Sequence, residues 1–255
     1  MLKNTITFLG TGGGRVVVFR QIRHSGGMWL NLEGVNILID PGPGSLVRIF
    51  EHGFDTRDID IIVVSHRHLD HSADLNSVLE SASESKKNPK DVLVAPIDVV
   101  EGEDPILLKY LKDSFSQYVQ LNDQTDFEYK TIKIKGRIKH IHPGAETYGI
   151  EFHSDNKKVV YVPCGKFYEG MLEGYSEKAD LMIFNTTFPH RTEKYYHLSA
   201  DDVELMLERY KPKKAVITHF SLAMLKEEPD KIAAKLQRKT NIPVVAAYDG
   251  IKIQI

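Results

Sequence analysis

Along most of the chain, apolar residues come in short runs of Val, Ile, Leu, Phe and Tyr cut off by turn residues. The runs at 5–10 (TITFLG), 28–34 (MWLNLEG), 35–40 (VNILID), 58–65 (DIDIIVVS), 91–96 (DVLVAP), 130–141 (KTIKIKGRIKHI), 147–152 (TYGIEF), 157–162 (KKVVYV), 179–184 (ADLMIF), 213–219 (KKAVITH), 242–248 (IPVVAAY) and 251–255 (IKIQI) read as strands. β-Branched and aromatic side chains fit a pleated, buried surface, and the residues between the runs favour turns. Helical spacing is confined to 74–85 (DLNSVLESASES), 199–210 (SADDVELMLERY) and 228–240 (EPDKIAAKLQRKT). Ser199 with Asp202 predicts an N-terminal cap for the second, and Pro229 suits the first turn of the third. Strands come in succession first and alternate with helices later, in both halves. That order predicts an α+β or α/β fold of two sheets packed face to face with helices outside, as one domain over 1–255. The stretch 81–91 (SASESKKNPKD) reads as a polar turn, and no fixed-period repeat is present.

The glycine-rich segment 9–18 (LGTGGGRVVV) follows a strand, but Val-Val-Val-Phe comes after it. Three β-branched residues predict extended chain there, so a dinucleotide site, which needs a helix N-terminus, is not expected. A tight glycine turn lining a cleft is the better account. Lys+Arg is 33 against Asp+Glu 35, so no overall charge draws the protein to nucleic acid or membrane. The first residues hold too short an apolar run for a secretory signal, and no run reaches the roughly 20 residues of a membrane span. The single cysteine allows no internal disulfide. A cytoplasmic protein is expected.

The densest chemistry is Ser65-His66-Arg67-His68-Leu69-Asp70-His71. Three histidines and an aspartate follow a buried-strand pattern, which places four donors on one strand-end loop. Imidazole and carboxylate are ligands for borderline divalent metals, and core packing does not call for them at this density. Other strand-end donors are His142, after the run 130–141, His219, after the run 213–218, and Cys164, after Tyr161-Val162-Pro163. Strand ends of different sheet positions converge in space, so these join the candidate set. His140 alternates with His142, and one of the two is expected to face the site. His197 stands in a polar loop before a helix, suited to acid–base work or to a cap. His24, His52, His153 and His190 read as surface residues. Arg15, Arg20, Arg23 and His24 lie near the glycine turn, where they would reach a phosphate or simply carry solvated charge.

The pattern His-x-His-x-Asp-His, with ITFLGTGGG, ILIDPGPGS, HPGAETYGIEF and VITHF, resembles the metallo-β-lactamase superfamily through nearly the whole chain. Its order is most similar to the phosphodiesterase branch that includes ribonuclease Z and a cyclic-phosphate phosphodiesterase. The resemblance implies a four-layer αββα sandwich and two divalent metal ions, zinc first and manganese as the alternative. It implies that His66, His68 and His142 hold one ion and Asp70, His71 and His219 the other. Asp70 and His197 are then the catalytic pair, one orienting the attacking hydroxide and the other protonating the leaving oxygen. Two departures stand out. Cys164 occupies the place of a bridging aspartate, which makes it a ligand of the second ion. Phe184-Asn185-Thr186-Thr187 replaces the His-Glu-Ala-Thr of ribonuclease Z, and no long arm for tRNA is present. The expected function is hydrolysis of a small or cyclic phosphodiester by a homodimer, with nucleic acid not favoured as a partner. The alternatives are a lactone or thioester hydrolase, a tRNA-processing nuclease, and a metal-binding sensor without catalysis.

Overall fold

The structure, a computed structural model, describes residues 4–255. In chain order the first half runs β1 (Thr5–Phe8), α1 (Arg15–Phe19), β2 (Met28–Leu32), β3 (Val35–Ile39), α2 (Ser45–Glu51), β4 (Ile61–Val63), α3 (Leu69–Ser72), α4 (Leu75–Ala82), β5 (Lys90–Ala95), α5 (Ile97–Val100) and β6 (Phe115–Gln120). The second half runs β7 (Asp126–Tyr129), β8 (Ile132–Lys139), β9 (Tyr148–His153), β10 (Lys158–Val162), β11 (Leu181–Phe188), β12 (Leu198–Ser199), α6 (Ala200–Tyr210), β13 (Ala215–Thr218), α7 (Leu222–Lys226), α8 (Pro229–Thr240), β14 (Val244–Ala246) and β15 (Lys252–Gln254). One sheet has the order β15-β1-β2-β3-β4-β5-β6, the other β14-β13-β11-β10-β9-β8-β7 with β12 beside β11. In each sheet an antiparallel portion passes into a parallel one, at β3–β4 and at β10–β11.

The apolar runs are explained by which faces are covered. In β4, Ile61 and Val63 enter the layer between the sheets while Ile62 joins Leu75, Val78 and Leu79 of α4. In β11, Leu181 and Ile183 face the other sheet while Met182 and Phe184 pack with Val203, Met206 and Leu207 of α6. A strand buried on both faces loses its polar alternation and reads as a continuous apolar run. The four layers are therefore helix, sheet, sheet, helix. The αββα expectation holds.

Each strand run lies on a strand and each helical run on a helix. The capping box is present: Asp202 N–H donates to Ser199 Oγ, Ser199 N–H donates to Asp202 Oδ2, and Pro229 opens α8. Three strands escaped the sequence reading: β6 and β7, whose polar edge positions are largely outside the core, and the two-residue β12. The expectation of extended chain after the glycines is corrected: Arg15–Phe19 is a five-residue helix. Gly14, at φ 72°, turns the chain so that Val17 and Val18 are buried on one side while Val16 and Phe19 stay exposed. A single helical turn of Val residues needs only that tertiary contact to override its propensity. The expected cleft-lining turn is nevertheless there. Gly13 N–H donates to Phe220 O at 3.0 Å, Phe220 N–H donates to Thr11 O at 2.8 Å, and a Cβ on Gly13 would stand 2.2 Å from His219 Nδ1. The glycines make room for an imidazole.

Candidate metal centre

The strand ends of both sheets meet at one edge. His66 follows β4, His142 follows β8, Cys164 follows β10 and His219 follows β13, while His68, Asp70 and His71 lie on the turn into α3 and within it. The structure brings all seven predicted ligands together. His66, His68 and His142 can offer nitrogens within 4.8 Å of one another, and so can the donors of Asp70, His71 and His219. Cys164 joins His66 and His71 on one side and His197 and His219 on the other. Its Sγ lies 3.5 Å from His71 Nε2 and 3.5 Å from His219 Nε2.

Hydrogen bonding fixes which imidazole nitrogens are free. His142 Nδ1 is 3.0 Å from the Tyr196 carbonyl, which only accepts, so Nδ1 carries the proton. Ser65 donates its hydroxyl proton to Asp40 Oδ2 and must accept from His66 Nδ1 at 3.0 Å. In both rings Nε2 is left with a lone pair, buried and without any partner. A buried acceptor without a hydrogen bond costs about 1–3 kcal/mol, so two aimed at one point require something to receive them. A cation fits. Burial pushes the pKa of His66 and His68 down and that of His142 down to about 4, which keeps these rings in the neutral form that ligates.

The second cluster has the opposite electrostatics. Burial works against the charged forms, yet His71 and His219 hold the Asp70 carboxyl well below its ordinary range, and His219 and His71 do the same for the Cys164 thiol. Against burial, Asp70, Cys164 and Asp40 raise His71, and Cys164 with Asp70 brings His219 up to about 9. A partly buried carboxyl and a buried thiol, both drawn toward their anionic forms, thus call for positive charge facing them, and protons on the His71 and His219 imidazoles provide part of it. A divalent ion would supply it instead and release those protons.

Beneath the donors lies Asp40. It accepts from Ser65 N–H at 2.6 Å, Ser65 Oγ at 2.7 Å, Tyr161 OH at 2.7 Å and His71 Nδ1 at 2.9 Å. Its φ of 53° is left-handed, as is the 65° of His219. Such conformations cost of order 1–3 kcal/mol and persist where the surroundings impose them. Asp40, Tyr161, Asn185 and Thr187, the last 3.0 Å from His219 Nδ1, were not singled out from the sequence as site residues. A signal existed for Asp40, which ends a strand before Pro-Gly as the histidines end theirs, and for Asn185, which interrupts the buried run of β11.

The remaining predictions sort clearly. His197 is partly buried beside the site, with ring centroids 5.1 Å from His142 and 5.7 Å from His219. His140 is buried just after β8, its Nδ1–H donating to Cys164 O at 2.9 Å and its Nε2 accepting from Tyr175 OH, and it stays out of the cluster. His52 and His190 are exposed. His153 is only partly exposed, with Nε2 2.8 Å from Glu151, and His24 is partly buried with Nδ1 3.6 Å from Asp249. Of the arginines, Arg15 and Arg20 are exposed and Arg23 donates to Thr11 Oγ1 at 3.3 Å. No described helix is long and apolar enough to cross a membrane.

Comparison with known proteins adds to this geometry. Residues 35–220 match the model of the beta-lactamase superfamily domain. An uncharacterized protein of Methanocaldococcus jannaschii is 25% identical over 98% of this chain and 94% of its own. Ribonuclease Z of Clostridium botulinum is 32% identical over 38% of this chain, a match spanning 30% of that relative. The crystal structure of a diphosphatase from the PhnP family superimposes with a TM-score of 0.73 at 20% identity, covering 99% of this chain and 98% of that one.

Proposed function

The chain belongs to the metallo-β-lactamase superfamily, and from that premise we propose that it is a metal-dependent hydrolase of small or cyclic phosphodiesters. The observation that carries the reading is the pair of buried, partnerless Nε2 atoms of His66 and His142 facing His68, beside a buried cluster containing Asp70 and Cys164. In this reading His66, His68 and His142 hold one divalent ion, and Asp70, His71, Cys164 and His219 hold a second. Ions there supply an activated water and neutralise charge on the non-bridging phosphoryl oxygens. The chain does the rest. Asp70 accepts a hydrogen bond from the attacking water and aims it. His197, alongside His142 and His219, gives a proton to the departing alkoxide oxygen. A phosphodiester uses both features, because charge develops on its non-bridging oxygens and on the departing oxygen. The relatives that carry ribonuclease and diphosphatase names support phosphorus–oxygen chemistry; the short ribonuclease Z match and the absence of its His-Glu-Ala-Thr motif favour a small substrate over tRNA. Zinc is favoured by the sulfur ligand.

The test is zinc- or manganese-loaded protein assayed against cyclic phosphodiesters, linear nucleotides, bis(p-nitrophenyl) phosphate, lactones and thioesters. Turnover of phosphodiesters above the others is the expected result. Loaded protein that hydrolyses only lactones or thioesters would replace the reading, and loaded protein that hydrolyses nothing would favour a sensor.

A further inference from the structure

We propose that Asn185 is a positioning residue for the Cys164 sulfur, its side-chain amide donating one hydrogen to Sγ and the other to Tyr161. The inference rests on the reading of Cys164 as a metal ligand and goes beyond it, to the group that sets how the sulfur is presented.

The orientation of the amide follows from its neighbours. The Tyr161 hydroxyl lies 2.7 Å from Asp40 Oδ2, a carboxylate that can only accept, so the hydroxyl proton is committed there. The Asn185 atom 3.0 Å from the same hydroxyl must therefore bring a hydrogen, and it is Nδ2. That nitrogen carries a second hydrogen, and Cys164 Sγ stands 3.4 Å away. Asn185, Tyr161, Asp40 and Cys164 are all at most 2% exposed, so water does not stand in for any of these partners.

The bonds close a ring. From Sγ it passes to Asn185, to Tyr161, to Asp40 and to His71 Nδ1 at 2.9 Å, and His71 Nε2 returns to within 3.5 Å of Sγ. Its members come from the ends or interiors of β3, β10 and β11 and from α3, so both sheets hold it rigid. One hydrogen bond from the amide occupies a sulfur lone pair on the side of β11 and leaves the others to a cation between His71 and His219. Two of the positions at which the chain departs from the family pattern, 164 and 185, are thus in contact. A glutamate at 185 would face the anionic sulfur with an acceptor; an amide faces it with a donor.

Groups that orient ligands in this way typically change metal affinity about 10–100-fold when removed. The direct test uses wild-type protein labelled with ¹⁵N at asparagine and loaded with ¹¹³Cd, in which an N–H···S–Cd hydrogen bond transmits spin coupling between the amide proton and the metal. The expected result is coupling from one Asn185 amide proton alone. Cadmium bound by Cys164 without that coupling overturns the proposal while leaving the ligand reading intact. Cadmium bound elsewhere removes both. A second measurement reads the sulfur itself, through the thiolate-to-cobalt charge-transfer band. Asn185→Leu, similar in volume and without a donor, should move that band to longer wavelength and weaken zinc binding about 10–100-fold. Tyr161→Phe, which leaves the Asn185–sulfur bond in place, should leave the band where it is. A band unmoved by Asn185→Leu, or moved equally by both changes, speaks for a merely structural amide and overturns the proposal.

Discussion

His66 and His142 stand far apart in the chain and present the same chemistry for the same reason: an acceptor or a committed hydroxyl takes the Nδ1 proton, so Nε2 faces inward bare. His68 completes that group from the partly exposed side. Replacing His68 by Ala should therefore remove most of the bound metal, while His24→Ala, at the Asp249 contact away from the cluster, should remove none. Elemental analysis of protein purified without chelator decides between them. His197 invites a different experiment, because its ring also comes within ligand reach of Cys164 and His219. If its role is proton donation, His197→Ala keeps its metal and loses about 10²- to 10⁴-fold on phosphodiesters with poor leaving groups. Activated p-nitrophenyl esters, whose leaving group departs without a proton, should lose far less. Metal loss in that variant would make His197 a ligand instead.

At the scale of elements, the edge that carries the site is held by polar anchors as well as by apolar layers. Glu151, buried within β9, accepts from Ser176 N–H at 2.7 Å and Ser176 Oγ at 2.8 Å, with Arg137 Nε of β8 3.3 Å away and His153 Nε2 at 2.8 Å. It thereby pins β8, β9 and the segment that carries Tyr175, the partner of His140. Burial opposes the charge, but His153 and Ser176 hold the Glu151 carboxyl below its ordinary value of 4.5. A carboxyl lowered in the folded state stabilises it fully above that ordinary value, and the contribution is lost as pH falls through the lowered one. Urea melts from pH 7 down to pH 3 should show wild-type stability falling across the acid end. Glu151→Gln, which cannot ionise, should start lower at pH 7 and fall less steeply.

For the whole molecule, the donors come from both sheets: His66, His68, Asp70 and His71 from the first half, His142, Cys164 and His219 from the second. Ions held by donors from both halves bind the folded chain and not the unfolded one. At free metal about 100 times Kd this adds about 2.7 kcal/mol, which in a chain of this size raises Tm by roughly 5–10 °C. Chelation should lower the melting temperature by that amount, zinc should restore it, and His68→Ala should abolish most of the difference.

The local pattern by itself determined the strand and helix runs, the capping box of α6 and the density of donors at 66–71, because each depends on neighbours within a few positions. It also marked His142, Cys164 and His219 as strand-end donors, since a polar residue closing an apolar run is visible in one dimension. Whether those ends meet was decided only by the packing of the two sheets against each other, which brings together residues more than a hundred positions apart, as it does His71 and His219. The same holds for the helix after Gly14, where burial of Val17 and Val18 overrode their preference for extended chain. It holds most for Asp40, Tyr161 and Asn185. Asp40 and Asn185 stand out in the sequence only as polar residues closing or interrupting an apolar run, and Tyr161 not at all; the fold leaves each buried with a proton to give or accept, and the hydrogen-bond requirement of a water-free interior then ties it to the donor cluster.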